Sequence, residues 1–293
     1  MSINGFINVL KPPGMTSHDV VSLMRRIYRT KKIGHAGTLD PAAAGVLPIA
    51  IGYATRLLEY MADTDKKYRA EVKLGLSTDT GDYTGTILKQ EEFSMPPEDK
   101  VKKVLMDFCG DIMQAPPVYS AIKINGQKAC DLARHNIEVK LEPRHIKIHD
   151  IVFLRSLEDG FSMDVHCSKG TYIRSLCTDI GEKLAIPATM GFLLRTAVGK
   201  FDLSEASTIE ELAQNPLAAV QGIDILLDQM EEYNVDNEVL SAFRQGRKIA
   251  YSGSKKYNDD TVLLIHSDAV FAGIGKISDA GASVIPHKVF NDK

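Results

Sequence analysis

Residues 34 to 49 read Gly34-His35-Ala36-Gly37-Thr38-Leu39-Asp40-Pro41-Ala42-Ala43-Ala44-Gly45-Val46-Leu47-Pro48-Ile49. Glycine opens backbone angles closed to other residues and proline fixes its own, so the run is expected to form a tight, shaped loop rather than a helix or strand. Its centre holds one carboxylate. Pro41 biases Asp40 towards an extended conformation, which would aim the side chain off the loop. An isolated Asp-Pro would equally serve as a turn former or a helix N-cap, so the surrounding sequence has to decide.

Towards the N-terminus, Phe6-Ile7-Asn8-Val9-Leu10 reads as a strand that must turn at Lys11-Pro12-Pro13-Gly14. Ser17 is the expected N-cap of a helix in which Val20, Val21, Met24, Ile27 and Tyr28 recur at helical spacing. Arg25, Arg26 and Arg29 fall on another side, as a solvated face or a rail for phosphates. Downstream, Ala50 to Met61 reads as a helix, and Lys66 to Gly75 alternates as a half-buried strand carrying Tyr68. A helix is expected over 96–108. It is followed by a basic excursion over about 120–150 with Lys123, Lys128, Arg134, Lys140, Arg144 and Lys147. Phe161 to Cys167 alternates again and leads through Ser168-Lys169-Gly170-Thr171-Tyr172-Ile173-Arg174 into a helix ending near Leu184. From Tyr233 the character shifts. Phe243 to Ile249, Val262 to Ile265 and Val270 to Ile277 read as short strands of a small β domain.

The 293 residues, 44% hydrophobic and 25% charged, suffice for two domains and a proper core. No apolar run approaches a membrane span and the start lacks a secretory pattern, so a cytoplasmic protein is expected. Cys109, Cys130, Cys167 and Cys177 include no Cys-x-x-Cys and are expected to stay unpaired without binding metal. The net charge of −3 argues mildly against nucleic acid, but the charge is segregated. Residues 11–35 hold Lys11, Arg25, Arg26, Arg29, Lys31 and Lys32 against Asp19, and 244–258 hold only basic charges, whereas 201–243 hold only acids.

The opening run resembles the catalytic loop of the TruB family of tRNA pseudouridine synthases, close to G-H-x-G-T-L-D-P-x-A-x-G-x-L-P, and matches every fixed position. Lys11-Pro12-Pro13-Gly14-Met15-Thr16-Ser17 resembles the family's K-P-x-G-x-T-S element, which puts Lys11 beside the active site. Lys66-Lys67-Tyr68-Arg69-Ala70, Leu74 to Asp82 and Cys167 to Arg174 are similar to three further family elements. Inside the excursion, Cys130 and Asn136 depart from the expected Tyr and Gly. The resemblance is strong over two thirds of the chain and loose in the tail.

That resemblance implies an α+β pseudouridine synthase fold, with a mixed, largely antiparallel central sheet flanked by helices and a small C-terminal PUA-like β domain. The domains would be 1–232, catalytic with an RNA-gripping insertion at about 120–150, and 233–293, RNA-binding. It also implies isomerisation of the tRNA T-loop uridine conventionally numbered 55. Asp40, Tyr68 and Arg174 would be catalytic, and Lys11, His35, Tyr172, Arg25 and Lys32 would bind substrate. His35 would fill the gap left by a flipped base. The partner would be the T arm and T loop of tRNA, with no membrane and no obligatory protein partner. Breaking the C1′–N1 bond and joining C1′ to C5 involves no net redox change or hydrolysis, so neither cofactor nor metal is expected. Asp40 could attack as a nucleophile or remove a sugar proton. The competing expectation is a tRNA-folding chaperone or RNA-binding scaffold using the same surface without turnover.

Overall fold

The computed structural model describes residues 3–290 except 121, 125, 136, 138, 140, 224, 226–230 and 269. Asn136 and Lys140 of the basic excursion therefore lie outside the described residues. In chain order the first elements are β1 (Gly5–Lys11), α1 (Ser17–Ile27), β2 (Ile33–His35), β3 (Ala44–Ile51), α2 (Leu58–Ala62), β4 (Lys66–Leu74), β5 (Leu76–Thr78) and β6 (Ile87–Gln90). Next come α3 (Glu98–Met106), β7 (Gly110–Gln114), β8 (Lys123–Ile124), β9 (Gln127–Lys128), α4 (Ala129–Arg134), β10 (Arg144–Leu157), β11 (Gly160–Cys167), α5 (Ile173–Leu184), β12 (Ala188–Val198), β13 (Phe201–Asp202) and α6 (Ile209–Gln214). The last are β14 (Glu231–Asn234), α7 (Asn237–Arg244), β15 (Ile249–Ala250), β16 (Val262–Ser267), β17 (Val270–Ser278) and β18 (Ser283–Val289).

The chain divides into two units, one of Asn8–Ile49 with Glu59–Ala219, the other of Met1–Ile7, Ala50–Leu58 and Val220–Lys293. The large sheet runs β1-β3-β12-β4-β11-β10-β7, with β2 on β3 and β13 on β12. β12 is parallel to β3, while β4, β11, β10 and β7 pair antiparallel. The expected mixed, largely antiparallel sheet is the one found.

Its core explains why these segments are strands. Ala70, Val72 and Leu74 alternate along β4 and meet Phe161, Met163 and Val165 of β11 and Met190 of β12. Val101 and Leu105 of α3, and Leu176, Ile180 and Leu184 of α5, close the layer. Leu39 and Ala43 sink into this same cluster, with Tyr68 packed against it, so the chain on both sides of Asp40 is anchored in the core.

In the C-terminal β domain the order is β14-β16-β17-β18-β15. Leu240 and Phe243 of α7 pack there with Leu263, Ile265, Ala272 and Val284.

Four expectations are corrected. Within the run from Gly34 only residues 36–43 are loop: Gly34 and His35 end β2, and Val46, Leu47, Ile49, Ala50 and Ile51 are all buried in β3, as in a strand covered on both faces. Pro48 fits there, its carbonyl accepting the Ala36 N–H at 2.9 Å. Ala50 to Met61 is not one helix but the end of β3, a 3-10 turn over Gly52–Leu57 and the short α2; Gly52 at φ +63 starts the turn. Phe243 belongs to α7, because Leu240 and Phe243 have helical spacing and Asp236 caps the helix by accepting from Val239 N–H at 2.8 Å. The excursion ends at Arg144, where β10 begins, rather than near Asp150.

Gly45 holds φ +118 beside β12, where a Cβ would run into the Arg195 carbonyl oxygen and lie 2.6 Å from its nitrogen. Gly45→Ala is expected to cost more than about 2 kcal/mol in urea unfolding. Gly191→Ala, whose added carbon meets nothing closer than 3.6 Å, is expected to stay within about 1 kcal/mol.

Candidate active site

The way α1 is capped leaves a second hydroxyl available to the loop. Thr16, not Ser17, is the N-cap of α1, in a capping box with Asp19. Ser17 turns instead to the loop, where its Oγ accepts from Leu39 N–H at 2.9 Å and donates to Leu39 O at 3.2 Å. Asp40 is the next residue.

Arg174 lies in the first turn of α5, where a cation is disfavoured by the helix dipole and needs anionic partners. It finds them. Its Nε meets Asp40 Oδ2 at 2.9 Å and its Nη2 meets Asp40 Oδ1 at 3.3 Å, so the fork is used side-on. Nη1 donates to Thr80 O at 2.9 Å and Nη2 also to Tyr119 O at 2.8 Å. The guanidinium side chain is 6% exposed and Asp40 is 32% exposed, so the pair is fixed on the arginine side and open on the carboxylate side. Thr80 Oγ1 in turn donates to Asp82 Oδ1 at 2.9 Å. Burial pushes the Asp40 carboxyl above its ordinary range; Arg174 and Lys11 pull it back, and Asp82 adds to the rise.

Lys11 is where burial departs furthest from a surface reading. Its side chain is fully buried, and its ammonium donates to Ala43 O at 2.6 Å, Pro12 O at 2.9 Å and Pro41 O at 3.3 Å. These carbonyls include two from the chain just after Asp40. Burial lowers the Lys11 pKa to about 8, against the opposing charge of Asp40.

Tyr68 lies on β4 facing the core layer, and burial raises its phenol, partly offset by a hydrogen bond from Arg195. Tyr172 caps α5; its backbone is gripped twice by Gln114, whose Oε1 accepts from Tyr172 N–H at 2.8 Å and whose Nε2 donates to Tyr172 O at 3.1 Å. Burial raises the Tyr172 phenol too, and both tyrosines feel the Asp40 charge. His35, half-buried on β2, is pushed down by burial and by Arg195, which keeps its ring neutral.

Arg25 and Lys32 fall elsewhere. Arg25 folds back to the Ile33 carbonyl at 3.5 Å, bracing β2, and Lys32 is exposed ahead of that strand. Of the basic patch of residues 11–35, Lys11 is buried, Arg25 braces β2, and Arg26, Arg29, Lys31 and Lys32 are exposed.

Sequence reasoning missed Arg195. It is 1% exposed, and its Nε donates to Val46 O at 2.8 Å, Nη2 to Gly37 O at 3.1 Å and Nη1 to Thr38 O at 3.4 Å. Directly opposite it in the register stands Tyr68. One guanidinium therefore ties both ends of the Asp40 loop to the tyrosine. Its only signal was a lone charge in an apolar strand. Irregularities between Met190 and Phe192 and between Arg195 and Ala197 break the alternation, so parity could not tell which way it pointed.

With this geometry in view, residues 25–173 match the model of the TruB family pseudouridylate synthase N-terminal domain, and 174–231 that of the tRNA pseudouridylate synthase B C-terminal domain. The boundary between the two models falls between Ile173 and Arg174. The tRNA pseudouridine synthase B of Alkaliphilus oremlandii is 46% identical over 264 residues, covering 90% of this chain and 86% of that protein. Its counterpart in Caldanaerobacter subterraneus is 40% identical, covering 99% and 100%. The solved structure of a Cbf5-Nop10-Gar1 complex is similar at 26% identity and a TM-score of 0.76, covering 98% of this chain and 85% of that one. A family match that spans more than half the chain, and relatives at this identity over nearly its full length, leave one conclusion: the chain belongs to the TruB family of pseudouridylate synthases.

Proposed function

We propose that the protein isomerises uridine to pseudouridine in tRNA, at the T-loop uridine conventionally numbered 55, in the cytoplasm and without cofactor or metal. The observation that carries this reading is the side-on pair of Asp40 and Arg174, built into the core and open only at the carboxylate. A pure RNA binder gains nothing from such a pair, so the chaperone reading is not adopted.

The reaction exchanges one bond for another. The C1′–N1 bond breaks, the uracil turns, C1′ joins C5, and the C5 proton leaves while N1 ends protonated. Asp40 supplies the negative charge at C1′ or at the neighbouring sugar proton; both roles need the same ionised oxygen in the same place. Arg174 keeps it ionised and oriented. Extruding the uridine costs a few kcal/mol, and stacking on Tyr68 returns about 1–3 kcal/mol. The neutral, flat His35 is suited to the gap left in the RNA. Because burial holds the Tyr68 phenol up, its hydroxyl keeps its proton at neutral pH, and with Arg195 donating to its oxygen it is free to donate to the base. Tyr172 completes the pocket. Residues 1–232 would carry the chemistry, and the β domain from about 233, read as PUA-like, would add RNA contacts.

The test is incubation with unmodified tRNA transcript and mapping of the altered uridine. Product is expected at one T-loop uridine, and Asp40→Asn is expected to abolish it while RNA binding persists. Product elsewhere, or unchanged product in the variant, would overturn the proposal. Arg174→Lys keeps a charge but not the fork, and kcat is expected to fall by about 10²–10³.

Activity should depend on pH at both ends. As pH falls, Asp40 is protonated at a value above the usual carboxylate range, so the acid limb of kcat/KM should lie above that range and move higher in Arg174→Met. As pH rises through about 8, Lys11 loses a proton and can no longer serve all its carbonyls. An alkaline limb is expected there, and it should shift upward in Lys11→Arg if that variant folds.

Arg195→Lys cannot span Val46, Gly37 and Tyr68 together. The expected result is a stability loss of about 2–4 kcal/mol by denaturant unfolding and a drop in kcat with KM for tRNA nearly unchanged.

A further inference from the structure

Away from the Asp40 pocket, two histidines and a carboxylate converge where the start of β4 and the end of β11 meet a bulge inside β10. Asp65 immediately precedes β4, His149 lies on β10 and His166 on β11. Asp65 Oδ2 is 3.1 Å from His149 Nε2 and 3.8 Å from His166 Nε2, and the three donor atoms all lie within 4.8 Å of one another. The two imidazoles are 4.6 Å apart between centroids and tilted by 38°.

We propose that Asp65, His149 and His166 form a binding site for a divalent transition metal of the zinc, nickel and cobalt group. At metal–ligand distances near 2.0–2.2 Å, tetrahedral geometry separates donor atoms by about 3.4 Å, and the two Asp65–His separations bracket that value. A hydrogen bond alone does not account for the arrangement. Asp65 Oδ2 can accept from His149 at 3.1 Å, yet His166 directs the same kind of atom at the same oxygen from beyond hydrogen-bond reach. A shared cation would satisfy all three at once.

The backbone presents the site in a fixed form. Along β10 the register slips between Ile148 and Asp150, and this bulge at His149 lets it join the side on which His166 stands rather than the opposite one. The Asp65 carbonyl accepts from Gly199 N–H at 3.0 Å, which holds the carboxylate's own backbone. Two further charges are felt at His166, Lys67 and Asp150, and they oppose each other. Two imidazoles with one carboxylate suit borderline metals and not Mg²⁺ or Ca²⁺, which prefer oxygen alone. All three side chains are partly exposed, between 28% and 47%, leaving coordination positions for water. The ion would pin the start of β4, the end of β11 and the bulge of β10 together. Nothing in this proposal depends on the reaction assigned to Asp40.

The test is calorimetric titration of untagged, chelator-stripped full-length protein with ZnCl2, beside His149→Ala, His166→Ala and Asp65→Asn. One saturable site in the micromolar range is expected, weakened at least about tenfold in each variant. Zn²⁺ should raise the melting temperature of the wild type and not of the variants, and MgCl2 should do neither. Circular dichroism of each variant without metal separates loss of the site from loss of the fold. Wild-type binding no tighter than that of a folded double variant lacking both histidines, or the absence of saturable binding, would overturn the proposal.

Discussion

A loop anchored through buried Ala36, Leu39 and Ala43 must find donors for its inward carbonyls, and here buried cations provide them. Lys11 serves Pro41 and Ala43 on the far side of Asp40, while Arg195 serves Gly37, Thr38 and Val46. Left unpaired, the buried carbonyls of Ala43 and Val46 would each cost about 1–3 kcal/mol. Using cations rather than neutral donors has an electrostatic consequence. Asp40, desolvated by the same burial, sits beside Arg174 and Lys11, and these positive charges oppose the protonation that burial favours. The scaffold that shapes the loop also helps keep its acid ionised.

The side chains around Asp40 are fixed through the backbone of their neighbours more than through direct contact. Ser17 holds the residue before Asp40, Gln114 holds the cap of the helix that carries Arg174, and Arg195 holds the tyrosine opposite it. Arg174 is itself restrained by two carbonyls, Thr80 and Tyr119, before it meets the carboxylate. A side chain with its rotamer already decided loses little entropy on engaging a substrate, which is how a preorganised pocket differs from a charged surface.

Much of this was legible in the sequence. Alternation found β4 and β11, helical spacing found α1 and α3, and the motif runs brought out the pairing of Asp40 with Arg174. What failed did so for local physical reasons. The Thr16 cap was assigned to Ser17 because either hydroxyl could cap, and only the Leu39 contact shows that Ser17 is otherwise engaged. Val46 to Ile51 was hidden because glycine and proline mark a loop, whereas β3 lies between β1 and β12 in the large sheet, and those residues are strand. Arg195 was invisible because the direction of a strand side chain depends on bulges that leave no mark in composition. Lys11 was placed near the site, but its complete burial could not be inferred from a lysine at a strand end.

The proposed chemistry asks for an acid that stays charged in a pocket closed by a base, and that requirement explains the order of burial around it. Arg174 and Arg195 are almost wholly enclosed, whereas Asp40 keeps a third of its side chain accessible. Were the acid as deeply enclosed as its partners before substrate arrived, burial would drive its proton on, since partial burial already raises its pKa. Leaving the last face to be covered by the uracil means that desolvation comes with the substrate, when Tyr68 and the base exclude water together. The pair then strengthens at the step that needs it, because the same charges interact more strongly as water leaves.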